Sequence, residues 1–124
     1  VGRLIVEIDH AGHARYFTTM QMLLATIELG GSGATMPPPA AEIARHIIDA
    51  FLAKDYARAA QLQLQFALFP SRWMHRGLAP AMKAAMKIIG VPAGEPYPPY
   101  VGLDPDEMTA LEKVLNATVL NHGR

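Results

Sequence analysis

Hydrophobic and polar positions follow two different periods along this chain, and the switch between them divides it. Residues 3–9 read Arg-Leu-Ile-Val-Glu-Ile-Asp, a short, β-branched and largely apolar run, and His10-Ala11-Gly12-His13 follows, so the pattern predicts a strand running into a loop. Residues 15–17 predict a second short strand. Thr18 or Thr19 then offers a hydroxyl to cap a helix over 20–29, and Gly30-Gly31 supplies its stop. The small residues of Ser32-Gly33-Ala34-Thr35-Met36 predict a tightly packed strand, because glycine lets a neighbouring backbone approach closely. Pro37, Pro38 and Pro39 end it, since proline has no N–H for a ladder.

Helical periodicity takes over from there. Ile43, Ile47 and Phe51 fall on one stripe with Ala44, Ile48 and Leu52 beside it, while Glu42, Arg45, Asp49 and Lys54 lie largely opposite. Asp55 is placed to cap a helix from Tyr56 to about Phe69, in which Leu62, Phe66 and Phe69 are spaced by four and three and Pro70 marks the end. Pro80 suits the first turn of a helix that carries Met82, Ala85, Met86 and Ile89 and closes at Gly90. Residues 91–102 include Pro92, Pro96, Pro98 and Pro99 and predict an extended connection. Asp104, followed by Pro105 and two acids, opens a last helix whose apolar stripe is Met108, Leu111, Leu115 and Val119.

The result is two or three short strands, each paired with a helix, and then helices alone, with no internal repeat. Strands joined through helices pair in parallel, and parallel strands normally lie inside larger sheets because both faces and both edges need cover. The start of the chain therefore reads as part of a larger α/β sheet. A chain of 124 residues has room for one core, and its first residue, Val, fits a segment of something longer. Eleven Lys and Arg balance eleven Asp and Glu, which leaves no electrostatic footprint for nucleic acid or an anionic membrane. The absence of cysteine removes a thiolate nucleophile, a disulfide framework and Cys-based metal centres, and makes the cytoplasm the expected compartment. No apolar run approaches the roughly 20 residues of a membrane-spanning helix.

The order of the motifs carries a resemblance. Leu29-Gly30-Gly31-Ser32-Gly33-Ala34-Thr35-Met36 is followed by a helix, then by Phe51-Leu52-Ala53-Lys54-Asp55-Tyr56-Ala57-Arg58-Ala59, and then by Ala81-Met82-Lys83-Ala84-Ala85-Met86 with Gly90-Val91-Pro92. In that order and spacing they resemble the dihydrodipicolinate synthase and N-acetylneuraminate lyase family over about residues 17–115. The resemblance implies an α/β fold, with the last strands and helices of a (β/α)8 barrel over 1–53 and an appended helical extension over 54–124. It also implies class I aldolase or lyase chemistry without a cofactor, in which a barrel lysine forms a Schiff base with pyruvate or another 2-keto acid and a tyrosine shuttles protons.

Several parts of the family's pattern have no counterpart here: its lysine strand of the Gly-Ile-Lys-Asp type, its tyrosine strand and its Gly-Thr-Thr-Gly-Glu-like loop. Nearest to the lysine strand is Ile5-Val6-Glu7-Ile8-Asp9, which holds no lysine, and Lys54, Lys83, Lys87 and Lys113 fall in helices or at helix ends. A whole barrel takes about 250 residues. The chain thus resembles a C-terminal half that has no catalytic residue of its own and does not catalyse alone. By the same resemblance Thr18 falls at the C-terminal end of strand seven, and Thr35 falls on strand eight where it lines the keto-acid pocket, although the family's usual residue there is aliphatic. The partners this implies are the parent enzyme's 2-keto-acid substrate and either further copies of the chain or a complementing N-terminal half.

The residues themselves raise other chemistry. Asp9, His10 and His13 suggest a base or a metal, but two histidines without a cysteine or a carboxylate cluster do not complete a tetrahedral set, and a loop of solvated polar groups is the simpler reading. Gly30-Gly31-Ser32-Gly33 lacks the Lys-Ser/Thr ending of a phosphate loop and precedes a strand rather than opening a helix. Lys83 and Lys87, one turn apart, could depress each other's pKa, yet a solvated helix face accounts for them. Arg72, Trp73, His75 and Arg76 mix cations with an indole and suit a helix-packing or subunit contact. Met74, Met82 and Met86 read as core filler. The competing functional readings are a non-catalytic helical oligomerisation module and a small complete enzyme built on Asp9, His10 and His13.

Overall fold

A computed structural model describes residues 2–68 and 75–123. The chain forms two compact units, Val1–Met36 with Ala44–Ala67, and Pro37–Ile43 with Leu68–Arg124.

The first unit begins with helix where the sequence pattern predicts a strand. α1 (Gly2–Leu4) continues into a π-helical turn, Ile5–His10. A short apolar run does not by itself separate helix from strand. Here a spacing of four decides: Ile5 and Asp9 are buried together, and Arg3 Nε donates to Glu7 Oε1 at 2.9 Å outside them. Val6, an apolar side chain that a buried strand would cover, is 60% exposed.

The strands themselves come next. β1 (Phe17–Thr19) and β2 (Gly33–Thr35) pair in parallel, with Phe17 opposite Gly33, Thr18 opposite Ala34 and Thr19 opposite Thr35. A 3-10 turn, Met20–Met22, and α2 (Leu23–Glu28) form the crossover. The predicted hydroxyl cap is not made: Thr19 stands at the cap position, but its side chain accepts no hydrogen bond there. Gly30, at φ 87°, takes the left-handed conformation that stops the helix, and the Gly31 N–H donates to Thr26 O at 2.9 Å.

α3 (Ala41–Leu52) buries Ile43, Ala44 and Ile47, whereas Leu52, predicted to share the apolar face, is 68% exposed. Asp55 caps α4 (Tyr56–Gln65) as its position predicts, accepting the Arg58 N–H at 3.1 Å. Ala59, Leu62 and Phe66 form its buried side, and a 3-10 turn, Phe66–Leu68, follows. Phe69, Pro70, Arg72, Trp73 and Met74 lie outside the described residues.

The second unit is helical. A 3-10 turn, Pro38–Ala40, packs against α5 (Leu78–Ile88), and α5 packs against α6 (Pro105–Asn116). Its core is Pro39, Ala40, Pro80, Ala81, Ala85, Leu111, Leu115 and Leu120, the leucines each contributing about 1.5–3 kcal/mol of burial. Asp104 starts α6 by accepting the Glu107 N–H at 2.8 Å, with Pro105 in the first turn where no N–H is needed. Gly90, at φ 91°, closes α5. No regular element occurs between the end of α5 and Asp104, as the prolines predict. Among the described residues no helix is long and apolar enough to cross a membrane.

Candidate functional site

Parallel pairing gathers both strand starts at one end and both strand ends at the other, and the two ends are built differently. At the starts, Asp9 is 4% exposed and accepts three hydrogen bonds: from Ser32 Oγ at 2.5 Å, from the Tyr16 N–H at 2.9 Å and from Arg15 Nη1 at 3.3 Å. Tyr16 and Ser32 immediately precede β1 and β2, and the Ser32 N–H also donates to Tyr16 O at 2.9 Å. One carboxylate thus ties the π-helical turn to both strands. The Ser32 hydroxyl, then the Tyr16 N–H and Arg15 hold the Asp9 carboxyl below its ordinary value, against the opposing push of desolvation. The solvated-loop reading fails for Asp9. A helical turn, not a strand, carries it inward, and its partners lie 6 to 23 residues away.

At the strand ends stand the residues singled out by resemblance. Thr35 Oγ1 donates to Thr18 O at 3.3 Å, so the two are neighbours. Their side chains nevertheless diverge. Paired residues share a face of a sheet and successive residues alternate, so Thr18 goes with Ala34 while Thr35 goes with Thr19, Phe17 and Gly33. Phe17, Thr19 and Thr35 are exposed on that second face. Thr19, considered from the sequence only as a helix cap, is therefore the side chain that the register brings beside Thr35. Directly beyond Thr19, the amide of Gln63 reaches in from α4 to the 3-10 turn and the start of α2.

The remaining candidates are dispersed. His10 and His13 are exposed; His10 Nε2 lies 3.2 Å from Gly30 O, and its ring occupies the space a Cβ at residue 30 would need. Among the described residues no three His, Cys, Asp or Glu side chains gather as metal ligands. Lys83 Nζ donates to Ala93 O at 2.6 Å, and with Lys87 it borders a cavity of ≈ 150 Å³ under the 91–104 connection. Arg76 makes a two-pronged pair with Glu107, at 3.0 Å from Nε and 2.7 Å from Nη2, and this pairing raises its pKa further. His75 Nε2 is 3.8 Å from the same carboxylate. Arg76 is thus committed to α6 rather than free for a ligand.

Comparison with known proteins fits this geometry. The model of the dihydrodipicolinate synthetase family matches residues 7–118, and the chain belongs to that family. No curated protein sequence matches it. Among solved structures, a protein from Pseudomonas aeruginosa assigned as a dihydrodipicolinate synthetase superposes with a TM-score of 0.70 at 20% identity, over 93% of this chain and 40% of that one. The shared feature is the fold: this helix-rich chain with its small parallel sheet corresponds to part of that TIM-barrel protein and spans about 40% of its length.

Proposed function

We propose that this chain is the C-terminal portion of a Schiff-base-forming, 2-keto-acid-dependent aldolase or lyase, with the last β/α units of the barrel over 1–53 and the helical extension over 54–124. The observation that carries the reading is the state of the strand pair. Two parallel strands of three residues cannot satisfy their own edges or cover their own faces, and Phe17, Thr19 and Thr35 stand exposed on one of those faces. Neighbouring barrel strands would cover them. That face would then look into the barrel, where the C-terminal ends of strands hold substrate, with Thr35 and Thr19 on the keto-acid pocket and Thr18 contributing its carbonyl as the acceptor for Thr35.

In this reading the nucleophilic lysine and the proton-shuttling tyrosine belong to upstream strands. Lys83, Lys87 and Lys113 lie on α5 and α6, and Lys54 follows the end of α3. None stands on a strand end. The 124-residue chain alone is therefore inert, and it works as part of a complete barrel, in copies that associate through the extension.

Intact mass spectrometry after pyruvate and borohydride tests this directly. A lysine amine and the ketone condense to an imine with loss of water, and hydride reduction fixes the adduct. The chain alone gains no mass, while the protein with its upstream barrel strands gains one reduced pyruvyl group. An adduct on the 124-residue chain itself overturns the assignment of its lysines as structural. No adduct on the complete protein overturns the aldolase reading in favour of a non-catalytic module.

A further inference from the structure

Met20, Gln21 and Leu24 lie where β1 gives way to α2, and the backbone there has no local cap, since neither Thr19 nor Met22 supplies a side-chain hydrogen bond. Helix starts leave N–H groups without partners, and a tight turn leaves carbonyls pointing outward. Gln63, about 40 residues further on and one face of α4 away, satisfies both kinds of group at once. Its Oε1 accepts the Leu24 N–H at 2.9 Å, and its Nε2 donates to Met20 O at 3.0 Å and Gln21 O at 3.2 Å. Only a side chain with an acceptor and a donor on one planar tip can do this. A carboxylate would lack the donor, and a lysine the acceptor.

We infer that Gln63 is a positioning residue for the keto-acid pocket: its amide fixes the turn that follows Thr19 and so sets where the C-terminal end of β1 presents that side chain beside Thr35. The inference rests on the proposed barrel and goes beyond it. It makes α4, the first helix after the barrel units, a brace on the substrate side rather than a subunit contact alone. The logic is that of preorganisation, in which small displacements of a pocket wall weaken binding of the reacting group.

The test uses the protein with its complete barrel and pyruvate as the probe. Gln63→Met keeps length and helix propensity and removes both hydrogen-bonding functions. It should raise the pyruvate concentration for half-maximal borohydride-trapped adduct about tenfold while the final adduct per folded molecule stays at one, and the Leu24 amide should exchange about tenfold faster. Gln63→Glu keeps the acceptor for the Leu24 N–H but turns a carboxylate oxygen onto the Met20 and Gln21 carbonyls, so it should shift both readings in the same direction, and it carries the test if the methionine variant does not fold. Gln61→Met, an exposed change on the same helix, should move neither reading.

Faster exchange at Leu24 with unchanged half-saturation would make Gln63 merely structural and overturn the inference, as would unchanged exchange or an equal shift from Gln61→Met. A complete wild-type protein that forms no adduct sinks the aldolase reading itself, and with it the pocket that Gln63 is said to position.

Discussion

Asp9 and Asp104 each accept a backbone N–H where the chain turns, and the contrast between them separates the two units. Asp104 is an exposed side chain at 51% accessibility; it caps α6 at a separation of three residues and sits 3.6 Å from Arg76 in a cluster that water screens. Asp9 is 4% exposed and joins three segments across up to 23 residues. The helical unit is written largely in local signals: a cap, a proline in the first turn, a glycine at the end. In the strand unit the polar ties that hold the two strand starts together are long-range, because three-residue strands supply too few ladder bonds to fix their own register.

Removing the Asp9 carboxylate is the most damaging way to break that contrast. Asn in its place presents an amide NH2 to donors from Tyr16, Ser32 and Arg15, so Asp9→Asn should lower Tm more than the changes below and should deprotect the amides of β1 and β2. It also carries a pH signature. Because the folded carboxyl sits below its ordinary 3.8, the unfolded chain binds more protons in acid. The stability Asp9 supplies is thus complete above 3.8 and is lost as pH falls through the lowered folded value. Melts run from neutral pH into acid should converge for wild type and variant; curves that stay parallel would show that the carboxylate's charge is not what holds the strands.

The same contrast decides what could be read from the sequence. Asp55, Asp104, Pro80, Gly30 and Gly90 announce helix ends within a turn of themselves, and the structure places each there. Residues 3–9 mislead because β-branched composition favours a strand, while the evidence for helix is the Arg3–Glu7 pairing and the burial of Ile5 with Asp9. Motif order singles out Thr35, but that Thr19 stands beside it needs the register, and register is a pairing between segments that no single stretch records. Gln63 gives no local signal at all, since its partners lie 39 to 43 residues away. Local chemistry was legible; chemistry made by the crossover was not.

Two buried threonines sharpen the comparison at smaller amplitude. In the helical unit the Thr118 hydroxyl donates to Leu115 O at 2.6 Å and accepts the Leu120 N–H at 3.1 Å, closing the turn after α6. Thr118→Val keeps the shape and removes both the hydroxyl donor to Leu115 O and the acceptor that Oγ1 gives the Leu120 N–H, which should cost about 1–3 kcal/mol in denaturant unfolding. A loss below a few tenths of a kcal/mol, on the order of measurement error, would mean that water reaches Leu120.

Thr26, in the strand unit, is the opposite case and the smallest effect. It is fully buried in α2, packed against Gly31 so closely that a Cβ there would lie 2.5 Å from its Cγ2, and its hydroxyl finds no partner among the described residues. A methyl of the same size removes an unsatisfied donor and retains the packing. Thr26→Val should therefore be neutral or should raise stability by up to about 1 kcal/mol, the reverse in sign of Thr118→Val. A loss of more than about 1 kcal/mol would mean that the hydroxyl is bonded after all. Since Thr26 lies on the helix that crosses from β1 to β2, its partner would then be sought outside the described residues.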